Sequence, residues 1–239
     1  MVALDAAIEA AKAGRVRGIC TAPMSKEAAH LGGHDDFIGH TEHLARAVGL
    51  ADDAVTMMFL GPRLRVALAT THVAVRDLPR EVTAERVQRA IEHLAEALTR
   101  LPTSHAPIRV AVTGLNPHAG ESGLFGDEEP RNIAPAIERA RLHPLVRAGR
   151  VTLEGPLGAE TALRFAASGD VHGVVAMTHD QGTVASKLLD WGEAVNVTWG
   201  LPFVRTSVDH GVAYDAAASG RIEDQGMRSA LAMADVLTR

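Results

Sequence analysis

Cysteine occurs once in 239 residues, at Cys20, which excludes an internal disulfide and any cysteine-cluster metal site. Aromatic residues make up only 3% of the chain, too few for the stacking platforms that hold nucleic-acid bases. No apolar run approaches the length of a membrane span, and the first residues, MVALDAAIEAAKAGR, lack a signal peptide's apolar core and cleavage site. No membrane association and a cytoplasmic location are therefore expected. Charge is not massed on one sign either: the formal net charge is −5 and there is no basic run. That argues against a nucleic-acid partner while leaving room for a local cationic pocket for phosphate. Neither Rossmann nor Walker A glycine spacing occurs, and the glycines of Gly114–Gly126 (GLNPHAGESGLFG) do not fit GxGxxG. There is no internal repeat and no low-complexity linker.

What the chain does have is a globular composition, 46% hydrophobic and 22% charged, long enough for one large α/β domain or two lobes around a cleft. Leu4–Ala13 reads as a helix and Val16–Cys20 as a buried strand running into Thr21-Ala22-Pro23. Ser25 can cap a short helix that Gly32-Gly33 stops, and His40 and Thr41 open another. At that helix start the two residues can contact an anion, or Thr41 can simply cap the helix. Ala54–Leu60 and Leu64–Thr70 flank Gly61-Pro62 as adjacent strands. Thr83–Leu101 is the clearest amphipathic helix, with His93 expected on its surface. Ile108–Thr113 is a strand, Pro130–Arg141 a helix, Val151–Leu153 a short strand, Ala159–Ala167 a helix and Gly173–Met177 a strand. The alternation, with no hairpin signal in the second half, predicts a mostly parallel sheet flanked by helices on both faces. Asp209–Ala218 reads as a loop before a closing helix to Val236.

The densest chemistry lies in Thr178–Thr206, which presents His179, Asp180, Lys187, Asn196 and Arg205 near element ends. These groups suit a small anionic, oxygen-rich substrate, the alternative being a solvated loop. His72, His118 and His179 each lie at or shortly past the carboxyl end of a predicted strand. If the strands are parallel, those ends share one sheet edge and the three imidazoles can converge on a divalent ion.

Several stretches carry a specific resemblance: TAPMSKEAAHLGG, FIGHTEHLARAVG, TTHVAVRDLP, GLNPHAGESGLFGDEE, THDQGTVASK, AVNVTWGLPFVRTSVDHG and the following AYD. In this order they resemble the motif series of the 4-hydroxythreonine-4-phosphate dehydrogenase family, from about Val16 to the C-terminus. The resemblance implies the two-lobed α/β architecture of isocitrate and isopropylmalate dehydrogenases, which bind NAD without GxGxxG. It implies metal ligands His72, His118 and His179 and a divalent zinc, cobalt or magnesium ion. It implies substrate contacts at His40, Thr41, Lys187, Asn196 and Arg205, a proton acceptor in Lys187 or Asp180, and an adenosine-binding loop for NAD or NADP around His210 and Asp215. The activity implied is oxidation with decarboxylation of 4-phosphooxy-L-threonine to 3-amino-2-oxopropyl phosphate in pyridoxal phosphate (vitamin B6) biosynthesis. The alternatives are a dehydrogenase of a related four-carbon acid phosphate or diol, or a shortened, inactive paralogue that binds metal or metabolite. A homodimer with the active site at its interface is implied as well.

Four departures accompany the likeness. Family members carry a further N-terminal portion with a GDPAGIGPE-type segment, so part of one lobe is expected to be missing and NAD binding to be weak. Thr178 stands where the family has tyrosine, and Glu160 where an aspartate is expected. Ala218 replaces a glycine of the cofactor loop, which restricts the backbone there.

Overall fold

A computed structural model describes every residue except 103–105. The chain divides into two compact units, one made of Met1–Met57 and Gly192–Arg239 and the other of Met58–Trp191.

The first unit begins with α1 (Val2–Lys12), β1 (Gly18–Thr21), α2 (Lys26–Leu31) and α3 (His40–Ala47). The Ser25 hydroxyl accepts from Ala28 N–H at 3.1 Å, and Gly32 closes α2, as the local residues predict. Thr41 is not a cap: Gly39 takes that position and His40 is the first helical residue. Leu44 is fully buried with Ile8, Ile19 and Phe203 in this unit's core, so α3 is held by its apolar face.

The second unit carries β2 (Thr56–Leu60, which straddles the division), β3 (Arg65–Leu68), α4 (Leu78–Glu81), α5 (Ala84–Arg100), β4 (Ile108–Thr113), α6 (Ala134–Ala140), α7 (Pro144–Arg147), β5 (Val151–Leu157), α8 (Ala159–Ser168), β6 (Gly173–Ala176) and α9 (His179–Leu189). Its strands lie in the order β2-β3-β6-β4-β5. β3, β6, β4 and β5 run parallel, and β2 is antiparallel to β3. The turn between β2 and β3 is closed by buried Asp190, whose carboxylate accepts from Arg63 N–H and Leu64 N–H. Val66, Val110, Val112, Val174 and Val175 are fully buried, the continuous apolar run expected of strands covered on both faces. His93 is not a surface residue: it is half-buried on α5, and burial lowers its pKa.

The chain then returns to the first unit with β7 (Val195–Trp199), β8 (Val204–Ser207), α10 (Tyr214–Ser219) and α11 (Gln225–Leu237). β8 pairs in parallel with β1 and antiparallel with β7. The second half therefore does contain a hairpin, turned at Gly200, whose φ of +100° suits glycine. The tail is also more helical than expected. Ala218 lies inside α10 with ordinary helical geometry, so the position makes no demand that only glycine could meet.

Candidate functional site

In the first unit the sheet brings Arg205 opposite Thr198 across the antiparallel pair and beside Ile19 across the parallel one. Alternate residues face opposite ways along a strand. Thr206 accordingly turns to α11, where its hydroxyl donates to the Ala230 carbonyl at 2.9 Å. Arg205, only 3% exposed, donates to Thr21 Oγ1 at 2.8 Å, Thr198 Oγ1 at 3.1 Å and Asn196 Oδ1 at 3.5 Å. All three are neutral oxygens, and its buried Nε has no hydrogen-bond partner. Thr198 Oγ1 lies 3.5 Å from Thr41 Oγ1, which ties the start of α3 to the same cluster.

Burial lowers the Arg205 guanidinium from its ordinary value to about 10, so it remains a cation at neutral pH. His40, with its ring edge-on to Phe37 at 5.9 Å, is pushed down to about 4, first by burial and then by the Arg205 charge and His43. Burial thus weighs against the charged form of both groups, and no carboxylate is hydrogen-bonded to the cation, although the Glu42 charge acts on it. A buried unpaired cation is expensive unless an anion joins it. Thr21 and Thr198 were not singled out as site residues by sequence reading. Thr21 carries one signal, its place where a buried strand meets a loop.

In the second unit the parallel register aligns Leu68 with Ala176 and Val112 with Val175, so β3, β4 and β6 deliver their loops to one edge. His72 and His179 meet there, with ring centroids 5.5 Å apart. α9 begins at His179 through a capping box: Thr178 Oγ1 accepts from Gln181 N–H, and Gln181 Oε1 accepts from Thr178 N–H. Gln181 also donates to the Gly114 carbonyl at 3.2 Å, tying the end of β4 to the start of α9. His179 Nδ1 lies 2.8 Å from Asp180 Oδ1. A carboxylate on one imidazole nitrogen orients the ring and leaves Nε2 for a ligand. Lys187 lies two turns farther along α9, its ammonium 5.7 Å from the centre of the Trp191 ring.

His118 is placed differently. Its ring lies 6.4 Å from that of Phe125, and no group of three or more His, Cys, Asp or Glu is gathered for a metal ion among the described residues. Its loop has an unusual backbone: His118, Ala119, Gly120, Glu121 and Ser122 all have positive φ, between 40° and 78°. Left-handed geometry costs roughly 1–2 kcal/mol for each non-glycine residue, so something nearby must hold this turn. Just before it, the carboxylate of buried Glu129 accepts from Leu115 N–H and Asn116 N–H, both at 2.8 Å, and from Asn116 Nδ2 at 3.0 Å.

The donor chemistry fits a divalent ion. Two adjacent imidazoles, one with a carboxylate behind it, are of the kind zinc or cobalt takes, whereas His118 is not gathered with them. The cofactor candidates His210 and Asp215 are exposed, with His210 Nδ1 2.9 Å from the Gly211 carbonyl and Asp215 in the first turn of α10. Both can contact a ribose or adenine by hydrogen bonding. No helix among the described residues is long and apolar enough to cross a membrane.

The 4-hydroxythreonine-4-phosphate dehydrogenase of Geobacter metallireducens is 46% identical over 226 residues, covering 95% of this chain and 63% of that protein. The D-threonate 4-phosphate dehydrogenase of Cupriavidus necator is 44% identical over 238 residues, covering 99% of this chain and 68% of that one. The crystal structure of 4-hydroxythreonine-4-phosphate dehydrogenase from Klebsiella pneumoniae superposes with a TM-score of 0.81 at 38% identity, over 99% of this chain and 69% of that one. Isocitrate dehydrogenase from Methylococcus capsulatus, at 13% identity and a TM-score of 0.54 over 98% of this chain and 73% of that one, shares the fold alone. The chain thus spans about two thirds of the length of the relatives it matches. Residues 1–234 match the family described as pyridoxal phosphate biosynthetic protein PdxA, and the chain belongs to that family.

Proposed function

We propose that the protein is a metal- and NAD-dependent dehydrogenase of a four-carbon acid phosphate, with 4-phosphooxy-L-threonine as substrate and 3-amino-2-oxopropyl phosphate and CO2 as products. The observation that carries this reading is the buried Arg205, bonded only to neutral oxygens and with one N–H unused. A phosphate would supply the hydrogen-bonded anion that Arg205 lacks and accept from the guanidinium fork. His40, neutral at physiological pH, and Thr41 would add hydrogen bonds without adding charge.

On the second unit His72, His179 and His118 would hold a divalent ion, which when bound polarises the substrate alcohol and lowers its pKa. Asp180 orients His179, while Lys187 or Asp180 accepts the alcohol proton. NAD, when bound, would supply the hydride acceptor, and His210 and Asp215 would hold its adenosine part. Oxidation gives a 3-oxo acid, and loss of CO2 from it yields the aminoketone phosphate. This would place the protein in pyridoxal phosphate biosynthesis. We further propose a cytoplasmic homodimer with both subunits contributing to each site.

The Cupriavidus relative, 44% identical, favours D-threonate 4-phosphate as the second candidate, since both molecules present a phosphate and a carboxylate on four carbons. NADH formation by the purified chain, supplied with either compound and a divalent ion, tests the proposal. Turnover of the threonine derivative is expected to exceed that of the threonate. Phosphate binding without NADH from either compound would leave a binding protein rather than an enzyme.

A further inference from the structure

We propose that Glu129 is a positioning residue for His118: its carboxylate is the template around which the left-handed turn is wound, and so sets where that imidazole is offered. This rests on the reading of His118 as a metal donor. Glu129 opens a π-helical turn, Glu129–Ile133, ahead of α6, where an acidic pair would ordinarily be solvated; here it is 3% exposed. Its two oxygens take three N–H groups from Leu115 and Asn116, and all three lie just before His118.

The glycines of the loop record the same template. A Cβ at Gly114 would lie 2.9 Å from Glu129 Oε1, and one at Gly120 would lie 2.7 Å from Oε2. The carboxylate therefore occupies the space that side chains at both positions would need. Farther along, Asn116 Nδ2 also donates to Glu128 Oε2 at 2.6 Å, and a Cβ at Gly126 would lie 2.4 Å from that same nitrogen. The backbone thus wraps around one Glu129–Asn116–Glu128 cluster at three glycines, with His118 on the arc between the first two. Deleting the cluster would leave the left-handed residues free to relax into ordinary φ, which would re-aim the imidazole without removing it.

The test is a double-mutant cycle on the full chain, using Co2+ as the probe and its visible absorption as the readout, with His118→Ala and Glu129→Gln. Glu129→Gln keeps the size of the side chain but cannot accept from all three donors. We expect it to weaken Co2+ binding by about 10- to 100-fold, as loss of an outer-shell partner does, and to leave inorganic phosphate binding unchanged. In the His118→Ala background it should add no further weakening. Equal weakening in both backgrounds, or none in either, overturns the positioning role. If His118→Ala alone leaves Co2+ affinity unchanged, the donor reading falls and this inference falls with it. If His118→Ala weakens binding while Glu129→Gln does not, only the inference falls. Should Glu129→Gln fail to fold, Asn116→Ala removes the loop's side of the cluster. The same dependence on His118 is then expected at smaller amplitude, and its absence overturns the proposal.

Discussion

Arg205 donates to three neutral oxygens through a planar fork, and lysine has no fork. Arg205→Lys is expected to raise KM for a phosphorylated substrate about 10- to 100-fold, the worth of one charge-assisted hydrogen bond, with kcat changed much less. A fall in kcat at constant KM, in steady-state kinetics, would instead put Arg205 in the chemistry. His40 gives a pH test. Its imidazole is held at about 4 in the folded chain against an ordinary 6.5, mainly by burial. The unfolded chain therefore binds a proton here that the folded chain refuses, so stability from this group is present above about pH 6.5 and is lost as pH falls towards about 4. His40→Asn should flatten that part of the profile in urea unfolding at a series of pH values, and an unaltered slope would assign it to another group. The types and positions of Arg205, Asn196, His72 and His179 were legible in the sequence because each sits near a strand end. Thr21 and Thr198 were not, because their role exists only once β1, β7 and β8 lie side by side.

At the scale of elements, α9 depends on how it starts. Thr178 and Gln181 satisfy each other's backbone N–H groups, so Thr178→Ala should cost about 1 kcal/mol in denaturant unfolding and loosen His179, the next residue. A change well below that would mean Gln181 holds the helix start unaided. Most elements were readable from apolar periodicity and turn residues, down to the β2–β3 pair flanking Gly61-Pro62. The β7–β8 hairpin escaped because its turn, Gly200 to Pro202, resembles the loops between strands and crossover helices. The left-handed turn at His118–Ser122 escaped for another reason. Side-chain pattern carries no sign of φ, and the group that fixes it, Glu129, looks in sequence like any acidic residue at a helix start.

For the whole molecule, Val184, Leu188 and Trp191 are 56%, 79% and 74% exposed and recur at the spacing of one helical face along and just past α9. In the homodimer proposed above such a stripe would lie at the subunit contact, so Leu188→Asp is expected to shift the sedimentation coefficient from dimer towards monomer. A variant that stays dimeric would place the contact elsewhere. The division of the chain has a different kind of consequence. The Met58–Trp191 unit is contiguous, whereas the other is written in two pieces around it, and Arg205 meets Thr21 at a sequence separation of 184. On a ribosome adding about 5–20 residues per second, β1 waits roughly 10–40 s for the strand that completes it. The contiguous unit, completed before β7 and β8 are made, should therefore fold first on the nascent chain, leaving Ile19 and its neighbours for a chaperone to shield. The Arg205 cluster then forms after the Met58–Trp191 unit, and a chain released before β8 would carry the histidine edge without it.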